Sequence, residues 1–286
     1  MATISSDISL SAEPAPVAAA CRPLAGLLAA YVVWTWSRME RLQVEAEAVQ
    51  ASLTTNEGTG NQWLVVLDLT KKAIEKPANH ENGLRGIAYR FQWEGTVGII
   101  KGIPGYSHEY PTQESSMTVN DQLAAMGIGR NDRSWGGRTT YSPTCNTGKE
   151  ADQIFTPFNR RPSGGVVDWP TLAIETGASE SYQRLQEDVR WWFKNSNGRW
   201  QLVPHPSNPD RALFKPITAA SADNVPTRAA QPLVVTQRPY SAQEILVTPG
   251  TMGIPFEALY DRSRGPTETD VILTGNDVRD FARTSF

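Results

Sequence analysis

The stretch DWPTLAIETGASESYQRLQEDVRWWFKNSNG, Asp168–Gly198, decides the fold class. Within it Thr171–Glu175 (TLAIE) is a short apolar run closed by a carboxylate and stopped by Gly177, the pattern of a buried strand. Ser179 suits a helix N-cap, and Glu180 suits the positive end of the helix dipole. Tyr182, Leu185, Val189, Trp192 and Phe193 then recur at helical spacing, which gives the helix one apolar face. Asn195–Gly198 (NSNG) ends it. A strand that feeds an amphipathic helix through a glycine turn is a building block of α/β and α+β folds.

Upstream, Ala88–Trp93 (AYRFQW) alternates as a strand does, Glu94-Gly95 marks a turn, and Thr96–Lys101 (TVGIIK) reads as the returning strand. Ile103–Tyr110 crosses a Pro/Gly turn, and Met117–Met126 is helical in pattern. Asn131–Gly148 reads as a loop rich in Gly, Ser, Thr and Arg, before Lys149–Phe155 (KEADQIF). Gln62–Leu69 is apolar but too short for periodicity to separate strand from helix. Lys71–Gly83 is charged and turn-rich. Downstream, Arg199–Pro232 is proline-rich and reads as an insertion or linker, with Trp200–Val203 as the only strand remnant. Leu233–Val235, Ile245–Val247 and Asp270–Leu273 are short strand candidates, and Gly275–Arg283 is a terminal amphipathic helix.

The expected layout is a tail at 1–22, a helical extension at 23–87, a core at 88–200, a proline-rich insertion at 201–232, and C-terminal strands and a helix at 233–286 packing on the core. In the extension, Pro23–Trp36 carries no charge but has 14 residues, whereas a spanning helix needs roughly 20. The expectation is one or two helices over Leu24–Leu53, packed on the protein, with a membrane or targeting segment as the lesser reading.

The 286 residues suffice for one large domain or two modest ones, and a 40% hydrophobic content supplies a core. Net charge is −3, so the chain has no strongly basic coat, although a local basic groove fits within that total. Two scattered cysteines and three scattered histidines spell neither a disulfide framework nor a zinc site. They fit a reducing compartment, with a cytoplasmic or nuclear location. The sequence lacks a P-loop, a G-x-S-x-G elbow and an H-E-x-x-H motif.

Metal-dependent phosphodiester cleavage needs carboxylates that hold Mg²⁺. Asp152 and Glu175 stand at suitable places. The chain has 30 acidic residues, so spacing alone does not select this pair. Glu175 does lie at the end of a buried strand, where α/β sites gather, and the following helix start suits an anion.

From Tyr89 to Gly198 the chain resembles a group of proteins from filamentous fungi, similar in turn to bacterial restriction-endonuclease-like proteins of the PD-(D/E)XK fold. The residues that carry the resemblance are YRFQW (Tyr89–Trp93), GIPGYSHEYPT (Gly102–Thr112), DQLAAMGI (Asp121–Ile128), WGGRTTYSP (Trp135–Pro143), GKEADQIFTP (Gly148–Pro157) and the Asp168–Gly198 stretch. Gly253–Ala282 looks like the end of the same proteins. The resemblance implies an α/β (α+β) PD-(D/E)XK core with a mixed central sheet flanked by helices. It implies a Mg²⁺- or Mn²⁺-dependent nuclease acting on DNA without a small-molecule cofactor, with Asp152 and Glu175 as catalytic metal ligands. It also suggests that His108 and Glu109 open or precede the first core helix. One departure is Gly177, where the lysine of E-x-K is expected. Lys149, Arg184 or Lys194 could substitute, and Arg184, beside Asp188 on the helical wheel, is the favoured one. The rival reading is a catalytically inactive fold serving as a binding module. Trp135, Trp169, Trp191 and Trp192 suit either core packing or base stacking. Arg130, Arg133, Arg138, Arg160 and Arg161 suit either solvated loops or a phosphate groove.

Overall fold

The computed structural model describes residues 24–27, 31–56, 60–79, 83–103, 105–160, 168–176, 182–195, 200–205, 208–216, 234–237, 245–248 and 251–282. The tail 1–22, Gly177, Ser179 and residues 217–233 lie outside them. After a turn at Leu24 comes strand β1 (Val32–Thr35), and then helix α1 (Met39–Thr55). Val32–Thr35, expected as part of a helix within Leu24–Leu53, is therefore a strand. Val32, Val33, Trp34 and Thr35 are β-branched or aromatic and favour extended backbone, and their exposure alternates with a strand's period of two. Among the described residues no helix is long and apolar enough to cross a membrane.

β2 (Trp63–Leu67) settles the ambiguous run as a strand. α2 (Lys71–Ala78) occupies the segment expected to be turn-rich, and its N-cap Thr70 accepts the N–H of Ala73. β3 (Tyr89–Glu94) and β4 (Val97–Gly102) form the expected hairpin, with Gly95 at φ +61° in its turn. α3 (Tyr106–Ala125) begins well before Met117. Its first half, YSHEYPTQESS, is polar and contains Pro111, which conceals a helical period.

The segment expected as a loop carries β5 (Ser134–Trp135), β6 (Thr140–Thr144) and the start of β7 (Thr147–Glu150). β8 (Gln153–Thr156), β9 (Leu172–Ile174) and α4 (Tyr182–Asn195) follow. A strand also follows Gly198: β10 (Trp200–His205) pairs with β11 (Asn208–Pro216) in a hairpin inside the segment read as an insertion. β12 (Val234–Gln237), β13 (Ile245–Thr248), β14 (Thr251–Ile254), α5 (Phe256–Tyr260), β15 (Val271–Thr274) and α6 (Gly275–Ala282) complete the order.

The fold is mixed α/β, with a central mixed sheet flanked by helices. Among the described residues that sheet runs β1-β2-β4-β3-β7-β6, with β1 parallel to β2 and the other pairs antiparallel. A smaller sheet runs β5-β8-β9. β7 and β8 are separated only by Ala151 and Asp152, so the chain passes from the large sheet to the small one at that point.

The alternation of β2, β3 and β4 assigns two different faces. Leu64, Val66, Tyr89, Phe91, Trp93 and Ile100 point to one side and pack with Leu42 and Ala46 of α1 and Ala73 and Ile74 of α2. Burial of such side chains contributes about 1.5–3 kcal/mol each. Gly148 lies directly under Trp93, where a Cβ would meet the indole ring at 2.0 Å. The other side carries Trp63, Val65 and Ile99, covered by Leu24. Beside these apolar residues it also carries Arg90, Gln92 and Lys101, which are buried. A separate core joins α3, β8, α5 and β15 through Val119, Leu123, Phe155, Phe256, Leu259 and Val271.

Candidate functional site

The polar face of the large sheet is laid out by strand register. Arg90 pairs with Lys101 across β3–β4, and Gln92 pairs with Lys149 across β3–β7. Side chains at such positions stand about 4.5–5.5 Å apart on one face. α4 lies over this face and contributes Arg184 and Asp188, one turn apart. The small sheet brings in the carboxylates. Gln153 pairs with Ile174, so the next step of the antiparallel register sets Asp152 and Glu175 opposite each other. The N–H of Thr176 closes that step by donating to Asp152 Oδ2 at 2.8 Å.

Each carboxylate has a lysine. Lys101 Nζ donates to Asp152 Oδ2 at 3.2 Å and to the Thr176 carbonyl at 2.9 Å. Lys149 Nζ lies 2.8 Å from Asp188 Oδ1 and 3.4 Å from Glu175 Oε1. Arg184 Nη2 donates to the same Asp188 oxygen at 2.8 Å and to Gln92 Oε1 at 2.7 Å. Trp192 Nε1 donates to Glu175 Oε1 at 2.6 Å. Arg90 grips the strand crossing itself: its Nε donates to the Ala151 carbonyl at 3.0 Å and its Nη2 to the Asp152 carbonyl at 3.1 Å. It also lies 3.4 Å from Asp152 Oδ1 and 3.8 Å from Glu109. Trp63 floors the group, with Arg184 5.2 Å and Lys101 5.9 Å from its ring centre, a cation–π arrangement.

Burial and charge act on these groups together. Burial pushes the Glu175 carboxyl up to about 7; Lys149 opposes the rise, and the Asp188 and Asp152 charges add to it. Burial also works against the charged form of Asp188, but Lys149 and Arg184 outweigh it and hold that carboxyl below its ordinary range. Lys149 is buried too, yet Asp188 and Glu175 keep its pKa above the usual value. The recess among these side chains has room for about one water at most.

Of the residues expected from the sequence, Asp152, Glu175, Lys149, Arg184 and Glu109 fall together. Arg184 is buried, not a residue of a solvated helix face. Lys194 is exposed and lies at Glu94, away from the cluster. Glu109 sits in the first turn of α3. His108 is in that turn as well, but its side chain lies outside the described residues, as does Arg161. Arg160 is buried against Asp261 and the Trp169 carbonyl, and Arg133 holds Asn120. Neither lines the recess. Trp169, Trp191 and Trp192 pack with Tyr141, and Trp135 packs on Phe155. Lys101, Arg90, Gln92, Asp188 and Trp63 were missed from the sequence. The available signal was YRFQW, in which Arg90 and Gln92 alternate with aromatics and so share a face.

Comparison of the chain with protein-family models, curated proteins and solved structures finds no match. The donor set itself tests the Mg²⁺ that the resemblance implies. Among the described residues no three of His, Cys, Asp and Glu converge to cage a metal. Mg²⁺ is usually held by one or two carboxylates, with waters and substrate phosphate completing the shell. Asp152 and Glu175 supply two such carboxylates, but they are enclosed by Lys101, Arg90 and Lys149 beside a recess of about one water, so the set as placed takes an ion only if those side chains move.

Proposed function

We propose that the chain is a metal-dependent nuclease-like protein that hydrolyses phosphodiester bonds in DNA, built on a PD-(D/E)XK core. The observation that carries this reading is the facing pair Asp152 and Glu175, each with a lysine on its carboxylate. Gly177 then needs no lysine, because β4 and β7 bring one each from neighbouring strands. Asp152 and Glu175 would hold the ion. A bound Mg²⁺ supplies a water activated at neutral pH and positive charge for the phosphate. Lys149 places an ammonium beside Glu175, where it would orient such a water. Arg90 fixes the Ala151–Asp152 backbone and thereby the aim of Asp152. Arg184 holds Asp188 and Gln92 and so positions Lys149, instead of touching substrate. Incubation with single- and double-stranded DNA and Mg²⁺ or Mn²⁺ tests this: cleavage is expected from the wild type and its loss from Asp152→Ala and Glu175→Gln. Equal cleavage by all three removes the site.

A second reading, a catalytically inactive fold that serves as a binding module, is favoured by enclosure. The Asp152 and Glu175 side chains are 1% and 8% exposed, and both are engaged by cations and N–H groups. Under this reading the wild type, though folded, neither cleaves DNA nor takes up Mn²⁺ with or without an oligonucleotide.

A further inference from the structure

One side of the buried cluster is covered by a short turn ahead of β1. The turn closes on itself, with the Leu27 N–H donating to the Leu24 carbonyl at 3.3 Å. Leu24 is buried against Trp63, Val65 and Ile99, and Leu27 is partly buried beside it. Gly26, at φ +76°, meets the first turn of α4. A Cβ there would stand 2.6 Å from the Arg184 backbone nitrogen, 2.8 Å from the Arg184 Cα and 2.9 Å from the Gln183 carbonyl carbon. Glycine alone suits both a left-handed backbone and so close an approach.

The turn therefore touches three residues that line the recess: Trp63, Ile99 and Arg184. Of these, Trp63 carries both Arg184 and Lys101 on its ring. The other walls are built differently. α4 is anchored by Asp188 on Lys149, and by Trp191 and Trp192, whose indole N–H groups donate to Thr147 and Glu175. On the α3 side Arg90 is bound to the Ala151 and Asp152 carbonyls, and Thr112 and Thr176 share a hydrogen bond of 2.6 Å. The floor is the ladder of β2, β4, β3 and β7. The turn is seated by two leucines and the fit at Gly26. Local opening begins where buried apolar contacts are fewest.

We propose that the Leu24–Leu27 turn is the gate of the buried cluster. Closed, it seals Lys101, Lys149 and Arg184 from solvent. Lifted, with α4 left in place, it uncovers Trp63 and gives Arg184 and Lys101 room to move. The gate goes beyond the nuclease reading, because it governs access to the cluster whatever the cluster acts on.

The test is reductive methylation of the full chain with formaldehyde and dimethylamine-borane, read at each lysine by mass spectrometry. Lys101 and Lys149 are buried, and exposed Lys72 serves as the reference. Leu24→Ser removes the apolar anchor, and Gly26→Val forces the turn off α4. In both, labelling of Lys101 and Lys149 relative to Lys72 should rise roughly tenfold or more, the factor that one buried leucine contributes to an opening equilibrium. Leu123→Ala, in the separate core of α3, β8, α5 and β15, controls for general destabilisation. It should lower the urea midpoint at least as far and leave the labelling ratio near the wild-type value. Leu24→Ala or Gly26→Ala replaces a turn variant that circular dichroism shows unfolded. A wild-type ratio in either turn variant overturns the gate. An equal rise in Leu123→Ala also overturns it, because the cluster then opens only with the whole protein. The labelling involves neither DNA nor metal, so failure of the gate leaves the nuclease reading standing, and absence of cleavage leaves the gate standing.

Discussion

Asp188 Oδ1 is 2.8 Å from Lys149 Nζ and 2.8 Å from Arg184 Nη2, so one buried carboxylate oxygen serves two buried cations. Asp188→Asn keeps the shape and removes the charge, which leaves Arg184 facing an amide and Lys149 with only the Glu175 carboxylate at 3.4 Å in a dry environment. Loss of one partner from a buried ion network costs about 3–5 kcal/mol, and a urea unfolding midpoint should fall accordingly. The combined variant Lys149→Met, Arg184→Met, Glu175→Gln, Asp188→Leu removes the charges together and should recover much of that loss. If Asp188→Asn unfolds at the wild-type midpoint, the network does not hold α4 to the sheet.

Glu175 makes a different pH prediction. Its folded pKa of about 7 stands above the ordinary carboxylate value because the site is buried. Between about pH 4.5 and 7 the native state therefore binds more protons at this group than the unfolded state does, and its contribution to stability falls as pH rises. That contribution is fully present below the unfolded pKa and gone above the folded one. Asp188, held low by Lys149 and Arg184, acts in the opposite sense. Its contribution is present above the ordinary Asp value and is lost as pH falls below it. Denaturation of Glu175→Gln from pH 5 to 8 should lack the decline expected of the wild type, because glutamine still accepts from Trp192 but does not titrate. A parallel decline in both proteins would assign the slope to other groups.

The strand-to-helix reading of Thr171–Glu175 and its helix was legible because a short apolar run and a helical period are both local signals, although β9 is half-buried where a buried strand was expected. The β3–β4 hairpin was legible for the same reason, with a glycine turn between. β5, β6 and the first half of α3 were not, because they are short or polar and owe their form to pairing and packing. β1 was mistaken for a helix because an uncharged run such as PLAGLLAAYVVWTW has no period to arbitrate, and its strand half is fixed by β2 alongside. In the site, Asp152 and Glu175 were found through resemblance, whereas Lys101 lies 51 residues from Asp152 along the chain. Only the β3–β4 and β3–β7 registers bring such distant cations to one face, and a single sequence carries no register between remote strands.

Gln122, on α3, closes an otherwise open sheet edge. Its Nε2 donates to the Ile272 carbonyl at 2.7 Å, and its Oε1 accepts the Ile272 N–H at 2.8 Å. The side-chain amide thus satisfies β15 as another strand would, on the side away from β14, and it does so beside Ile272, a partly exposed apolar residue. Open edges with apolar side chains template pairing between chains. Gln122→Ala should lower stability by about 1–3 kcal/mol, the range for two hydrogen bonds at roughly 0.5–1.5 kcal/mol each. It should also produce concentration-dependent association in sedimentation velocity. Gln122→Glu keeps the acceptor for the Ile272 N–H but sets a carboxylate against the Ile272 carbonyl. Its stability loss should be comparable, yet its added charge should hold the edge apart and suppress association. A Gln122→Ala protein that matches the wild type in both urea midpoint and sedimentation would show that the β15 edge needs no guard.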